Sequence, residues 1–286
     1  MLAISFAILM FVSASVVDLT AYSQNVTNHK STNSLVNEND KLNQPRITII
    51  DAVGDLECSK TLHDRIKSDN PDIFVALGDL CYKPDLSNFT ETYSDFKEAG
   101  KIACVVGNHE SLENGNLKIL NQTLNYCGDH WYRKVANDTT ILLGLNTNGN
   151  TSFQSNWGKS LVSNTTFMEG IKNVMLFTHK PAHTPPGSDH MAENATIQMI
   201  SEITSNLPKD IQVYEIAAHN HLMAESSNGQ WFISGAGGRR LYEFSADPSW
   251  SFVNNKEHGY LQIRINNTDG LVLSTNFYRL DGKLIH

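Results

Sequence analysis

No run of basic residues occurs anywhere in this chain. Its 22 lysines and arginines are scattered along 286 residues and outweighed by 30 carboxylates, giving a formal charge of −8. A nucleic-acid backbone is held by clustered cations, so nucleic acid is not expected as a general partner, and an anionic substrate would need positive charge from another source such as metal ions. A nucleotide-cradling glycine frame is also missing. The cluster Gly235 to Gly238, in SGAGGRR, fits no G-x-G-x-x-G pattern and precedes no helix-like stretch. It reads as a tight turn, with Arg239 and Arg240 as solvated surface charge, the more common outcome, or within reach of an anionic substrate.

Cysteine is sparse. The four residues Cys58, Cys81, Cys104 and Cys127 match no zinc-ribbon spacing, which removes a structural zinc module. In an oxidising compartment they can pair in any of three full connectivities. Cys58 and Cys81 lie within three residues of Asp55 and Asp79 respectively, which allows a bridge between those two loops, and as core thiols the four need not pair at all. Internal repeats are absent.

Charge is missing from Met1 to Val17, which are mostly apolar and run into a polar stretch beyond Asp18. The pattern reads as a secretory signal peptide over residues 1–24, with a retained N-terminal anchor as the alternative. Either way the remainder is expected to be secreted or otherwise extracytoplasmic, touching a membrane only through an uncleaved leader. Eight N-x-[ST] sequons, at Asn25, Asn88, Asn121, Asn137, Asn150, Asn164, Asn194 and Asn266, are in keeping with export and glycosylation. Residues 25–45 are polar and aperiodic, as a disordered linker would be, so residues 46–286 are expected to form one catalytic domain.

Within that domain, RITIIDAV, DIFVALGD and KIACVVGN are strand-like runs separated by helical stretches around SKTLHDRIKS and Tyr93–Ala99. Strand-helix-strand order implies parallel pairing with right-handed crossovers. Later segments, HWYRKVA, TTILLGLN, NVMLFTH, IQVYEIAAH, HLMAES, QWFISGA, YLQIRIN and LVLSTNFYRL, add strands, with a helix from about Asn194 to Ser205. The fold class is α/β, with two sheets packed together and flanked by helices.

Five short motifs fall in order on this pattern: VGDLE around Asp55, GDLCY from Gly78 to Tyr82, GNHE from Gly107 to Glu110, LFTH ending at His179, and AHNH ending at His221. Asp55, Asp79 and Asn108 each lie just past a strand, so parallel strands carry all three to one sheet edge. Carboxylate and phenolate oxygens suit a trivalent or strongly Lewis-acidic ion, whereas imidazole and amide donors suit zinc, manganese or ferrous iron. A chain offering both sets can hold two different metals, with Asp79 as the best bridge between them.

The ordered set resembles the calcineurin-like metallophosphoesterases, and among them the purple acid phosphatases, whose pattern is GDxG, GDxxY, GNH[ED], VxxH and GHxH. The resemblance implies a four-layer α-β-β-α sandwich of two mixed sheets. It also implies a phosphoric ester hydrolase, most simply a phosphomonoesterase, acting on small phosphate esters with a metal-bridging hydroxide as nucleophile. Ferric iron would sit among Asp55, Asp79, Tyr82 and His221. A divalent iron, zinc or manganese ion would sit among Asp79, Asn108, His179 and His219. His109 would protonate the leaving group, and His190, or less well His183, would bind substrate. Tyr82 separates the purple type from Ser/Thr protein phosphatases, which carry a GDxVDRG-like second motif.

Three positions depart from the family pattern: Glu57 replaces Gly, Ala218 replaces Gly, and Leu176 replaces Val. None removes a ligand, and Glu57, so close to the metals, either crowds the substrate or turns to solvent. A phosphodiesterase or nucleotide-cleaving enzyme on the same centre is the nearby alternative, and a non-catalytic metal-binding surface protein the distant one. His63, His130 and His258 lie outside every motif and read as structural.

Overall fold

The computed structural model describes residues 46–82, 86–112, 120, 122–245 and 247–286. The expected leader and linker, residues 1–45, lie outside the described residues. Among those described, no helix is long and apolar enough to cross a membrane.

Alternating side chains divide each early strand between two cores. In β1 (Ile47–Val53), Ile50 and Ala52 face one side and Val53 the other. In β2 (Ile73–Ala76), Ile73 and Val75 oppose Phe74 and Ala76, and in β3 (Ile102–Val105), Ala103 and Val105 oppose Ile102 and Cys104. Period-two burial on both faces is what a sheet covered on both sides requires. These three strands run parallel in a six-stranded mixed sheet of order β13-β12-β1-β2-β3-β4, where β4 is Cys127–Gly128, β12 is Gly259–Asn266 and β13 is Val272–Arg279.

A seven-stranded mixed sheet of order β11-β9-β10-β8-β7-β6-β5 packs against it. Its strands are β5 (His130–Val135), β6 (Thr140–Leu145), β7 (Asn173–Phe177), β8 (Gln212–Ala217), β9 (Met223–Ser226), β10 (Trp231–Ser234) and β11 (Trp250–Asn254). Strands β6, β7, β8 and β10 are mutually parallel. Ile50, Val75 and Val105 from the first sheet meet Leu142, Phe177, Ile216 and Phe232 from the second in a shared core.

Helices close the outer faces. On the first sheet, α1 (Lys60–Asp69), α2 (Ser87–Thr92) and α3 (Ser94–Glu98) bury Leu62, Ile66, Phe89 and Phe96 against Phe74 and Cys104. Beyond α4 (Asn108–Leu112), the second sheet is covered by α5 (Thr151–Val162), α6 (Thr165–Met168) and α7 (Asn194–Thr204). The result is the expected α-β-β-α arrangement of two mixed sheets.

Helix α5 has no counterpart in the periodicity reading, for a physical reason. Its buried face carries Gln154, Ser155 and Gly158 beside Val162. Gly158 lies against Ile203 of α7, and the Gln154 amide both donates to and accepts from the Asn146 backbone. A small and polar buried face gives no apolar stripe to detect. Asn150 starts the helix by accepting from the Phe153 N–H at 2.9 Å.

The cysteines pair as Cys58–Cys81 and Cys104–Cys127. The second pair joins the neighbouring strands β3 and β4. The first joins the loop after β1 to the loop after β2.

Candidate metal centre

Parallel strands end where the motifs begin. Asp55, Asp79 and Asn108 follow β1, β2 and β3 on one sheet, while His179 follows β7 and His219 and His221 follow β8 on the other. The backbone marks the same place. Asp55, Asp79, Tyr82 and His219 have left-handed φ of 59°, 51°, 50° and 67°, as do Glu57 and Cys58 at 52° and 50°. Non-glycine residues in this region are held at a cost of about 1–3 kcal/mol each, and such costs gather at functional sites. Ala218 is not among them, so replacing the family's glycine there adds no strain.

The oxygen donors come from the six-stranded sheet. Asp55 is fully buried, its Oδ1 accepting from the Tyr82 hydroxyl at 2.5 Å and its Oδ2 from the His219 N–H at 3.0 Å. Asp79 is 2% exposed and accepts the His109 N–H at 3.0 Å. Burial, then the Asp55 and Asp79 carboxylates, push the Tyr82 phenol far above its ordinary range. It therefore stays a hydrogen-bond donor until a cation offsets those charges.

The nitrogen donors come from the seven-stranded sheet. His179 and His221 each place Nδ1 2.8 Å from a backbone carbonyl, that of Leu77 and of Arg240 respectively. A carbonyl can only accept, so each Nδ1 carries hydrogen and, in the neutral ring, each Nε2 presents a lone pair inward. His179 Nε2 then faces Asn108 Oδ1 at 3.0 Å, His219 Nδ1 at 3.1 Å and Asp79 Oδ1 at 3.5 Å. His221 Nε2 lies 3.2 Å from Asp55 Oδ1 and 3.1 Å from the Tyr82 hydroxyl. Ligand atoms of Asp55, Asp79 and His179 lie within 4.8 Å of one another. So many converging acceptors fit cations.

Electrostatics point the same way. Burial alone would depress His179, but the Asp79 and Asp55 carboxylates outweigh it and raise its pKa. His219 is pushed down to about 2, first by burial and then by its histidine neighbours. The carboxylates thus draw positive charge to His179, while His219 is kept as a neutral lone-pair donor.

The motifs left several contributing residues unassigned. Glu110, 2% exposed, accepts the N–H groups of Asp79, Leu80 and Gly107, each at 2.8 Å. It thus locks the GDLCY loop to the GNHE loop, and burial followed by the Asp79 charge raises its pKa to about 7. Its place as the acidic fourth member of GNHE was the available signal. Tyr242, which stacks on His221 at 3.9 Å, belongs to no motif.

His190 stacks on His219 at 4.1 Å and is held by Asn220, which accepts its N–H at 3.1 Å and donates to its carbonyl at 2.7 Å. The chain thereby brings His190 to the centre. His183 goes elsewhere. Its Nδ1 lies 2.6 Å from buried Glu215 and its ring stacks on Trp231 at 3.7 Å, in a cavity of about 410 Å³ under α7. The aromatic surface and carboxylate there explain why its second-choice substrate role does not match its surroundings.

Glu57 and Arg239 sharpen two further expectations. Glu57 lies at the rim, its side chain 35% exposed and its carboxylate paired with the Arg239 guanidinium, which lies 4.1 Å from the centre of the Tyr82 ring. Arg239 is therefore not simple surface charge. The glycine cluster makes this approach feasible, because a Cβ at Gly237 would strike the Gly54 carbonyl. The Gly237 N–H donates to that carbonyl at 3.1 Å and the Arg239 N–H to Asp55 O at 3.3 Å.

Comparison with known proteins agrees with this geometry. The model of one family, calcineurin-like phosphoesterase, matches residues 43–223. No curated protein matches the sequence. Among solved structures, one described as GAP50, the anchor in the inner membrane complex of Plasmodium, superposes with a TM-score of 0.62 at 13% identity, covering 84% of this chain and 87% of the other. The purple acid phosphatase PPD1 from yellow lupin (Lupinus luteus) seeds superposes with a TM-score of 0.60 at 13% identity, covering 85% of this chain and 53% of the lupin chain. This chain thus spans about half the length of that relative, and at such identity both likenesses establish the fold alone.

Proposed function

The chain belongs to the calcineurin-like phosphoesterase family, a family of metal-dependent phosphoester hydrolases, and from that premise we propose that it is a phosphomonoesterase with a binuclear, purple-type centre. The observation that carries this reading is the inward convergence of His179 and His221 Nε2 on the Asp55 and Asp79 carboxylates. Asp55, Tyr82 and His221 would hold one ion, ferric iron by the hardness of its donors, and Asn108, His179 and His219 a divalent iron, zinc or manganese ion. Asp79 would touch both. Such a pair supplies Lewis-acid charge to phosphoryl oxygens and lowers the pKa of water.

The chain's own residues do the rest. The Cys58–Cys81 bridge fixes the two Asp loops relative to each other, and Glu110 fixes the second of them to the GNHE loop. His109 has a half-exposed side chain with Nε2 3.8 Å from Asp79 Oδ2, which supports a proton-donating role toward the leaving oxygen. His190, on the face of His219, hydrogen-bonds phosphoryl oxygens in this scheme. Two cysteine pairs support an oxidising, extracytoplasmic place of work.

The test is hydrolysis of p-nitrophenyl phosphate and of its bis ester by metal-loaded protein from acid to neutral pH, before and after chelation. Faster cleavage of the monoester, lost on chelation and restored by metal, is expected. Preference for the bis ester would replace this reading with a phosphodiesterase. A second reading, a non-catalytic metal-binding surface protein, takes its support from the likeness, over 84% of this chain, to the Plasmodium structure described as an anchor. Inertness of the metal-loaded chain toward both esters would favour it.

A further inference from the structure

Glu57 and Arg239 form a rim device that the motif pattern does not contain. The two residues belong to loops far apart in sequence, after β1 and after β10, and pair where the guanidinium lies over the Tyr82 ring. The same ring lies 4.5 Å from the His109 imidazole. Both flanking groups are open to solvent, with side chains 42% exposed at Arg239 and 47% at His109. Tyr82 therefore has a proton donor and a fixed cation beside it at the open edge of the centre.

Resting on the phosphoesterase reading, we propose that Arg239 is a specificity-determining residue that binds an anionic group on the leaving portion of the substrate, with Glu57 holding the guanidinium in place until that anion displaces it. The preferred substrates are then phosphate esters or anhydrides whose leaving group carries a second negative charge.

Three features support the assignment. The His109 imidazole and the Arg239 guanidinium both touch the Tyr82 ring, 4.5 Å and 4.1 Å from its centre, so a leaving group protonated by His109 departs beside a ring that Arg239 also contacts. The guanidinium presents a planar fork suited to carboxylate or phosphate, and Glu57 already shows it engaged by a carboxylate. Its backbone is tethered by the N–H bond to Asp55 O at 3.3 Å, so the cation is positioned relative to a ligand residue rather than left on a free loop. Stacking on the Tyr82 ring restricts the side chain further.

The experiment compares phenyl phosphate with its 3- and 4-carboxylated analogues, using the full metal-loaded chain and reading kcat and KM separately. Wild-type protein is expected to favour at least one carboxylated substrate through a lower KM. Arg239→Ala should reduce that selectivity ratio by about tenfold. Arg239→Lys, which keeps the charge but loses the fork, should fall between them, while Glu57→Gln, which removes the competing carboxylate, should raise the ratio. Metal content and thermal melting of each variant confirm that the centre is intact.

Equal losses on neutral and carboxylated substrates in Arg239→Ala would overturn the inference, as would a lowered ratio in Glu57→Gln. A wild-type chain inert toward all three esters would overturn the phosphoesterase reading and this inference with it. Hydrolysis without selectivity would overturn this inference alone.

Discussion

The two sheets supply chemically different candidate donors to the proposed centre and hold them by different means. The six-stranded sheet contributes oxygen, from Asp55, Asp79, Tyr82 and Asn108, on loops with left-handed backbone, a disulfide and a buried glutamate to clamp them. The seven-stranded sheet contributes nitrogen, from His179, His219 and His221. There a backbone carbonyl sets the tautomer of His179 and of His221. Short acidic side chains must be placed by the backbone itself, so their loops carry strain and cross-links, whereas of the three imidazoles only His219 has left-handed backbone. Longer imidazoles can be aimed by a single hydrogen bond.

The largest expected effect comes from the residue shared by the two halves. Asp79→Ala should abolish binding of both metals and reduce ester hydrolysis to background, measured by metal analysis and steady-state assay. Retention of both ions would show that Asp79 is not the bridge. His109→Ala should keep the metals while lowering kcat by about 10²–10⁴-fold, most on poor leaving groups. Loss of metal in that variant would place His109 among the ligands.

The clamp of the oxygen half is tested next. Glu110→Gln leaves three N–H donors facing one amide that can accept only through its oxygen, so metal affinity should fall about 10–100-fold. Isothermal titration with zinc would read this, and unchanged affinity would sever the link between Glu110 and Asp79.

Removing the first disulfide with Cys58→Ser and Cys81→Ser should cost about 2–4 kcal/mol of stability and also weaken metal binding. The same change at Cys104 and Cys127 should cost stability alone, because that pair joins strands rather than ligand loops. Equal losses of metal affinity in both variants would make the distinction between clamp and staple untenable.

An effect on stability alone concerns an acid in the oxygen half but outside the motifs. Asp51 is fully buried, accepts from the Gln262 amide at 3.0 Å and has its second oxygen without a partner among the described residues. Burial pushes its pKa up to about 7, against the hydrogen bond from Gln262. The folded chain then keeps a proton that the unfolded chain releases near its ordinary carboxylate pKa. This contribution to stability is full below about pH 4 and is lost as pH rises through about 7. Urea unfolding should therefore show a loss of about 1–4 kcal/mol between pH 5 and 8 from this group, which Asp51→Asn flattens. An unchanged slope in the variant would assign the dependence to other groups.

Much of this organisation is legible in the residues. Apolar runs that end in GD or GN locate the strands and the oxygen donors together, because parallel strands bring their carboxyl ends to one edge. The ordered motifs then identify the family. What stays hidden depends on contacts between distant segments. The Glu57–Arg239 pair joins loops separated by most of the domain, and Tyr242 reaches His221 only through folding. Helix α5 hides because its buried face is polar and small. The Cys58–Cys81 bridge is legible from the placing of both cysteines beside Asp55 and Asp79, whereas Cys104–Cys127 follows from the pairing of β3 with β4. His183 and His190 share a loop, and only the fold sends one to Glu215 and the other to His219.

Metal content of protein purified without added metal tests the two-half centre most directly. Elemental analysis by mass spectrometry should find two ions per folded chain, including iron. Folded protein that carries no stoichiometric metal, and takes up none when iron and zinc are supplied, would contradict it.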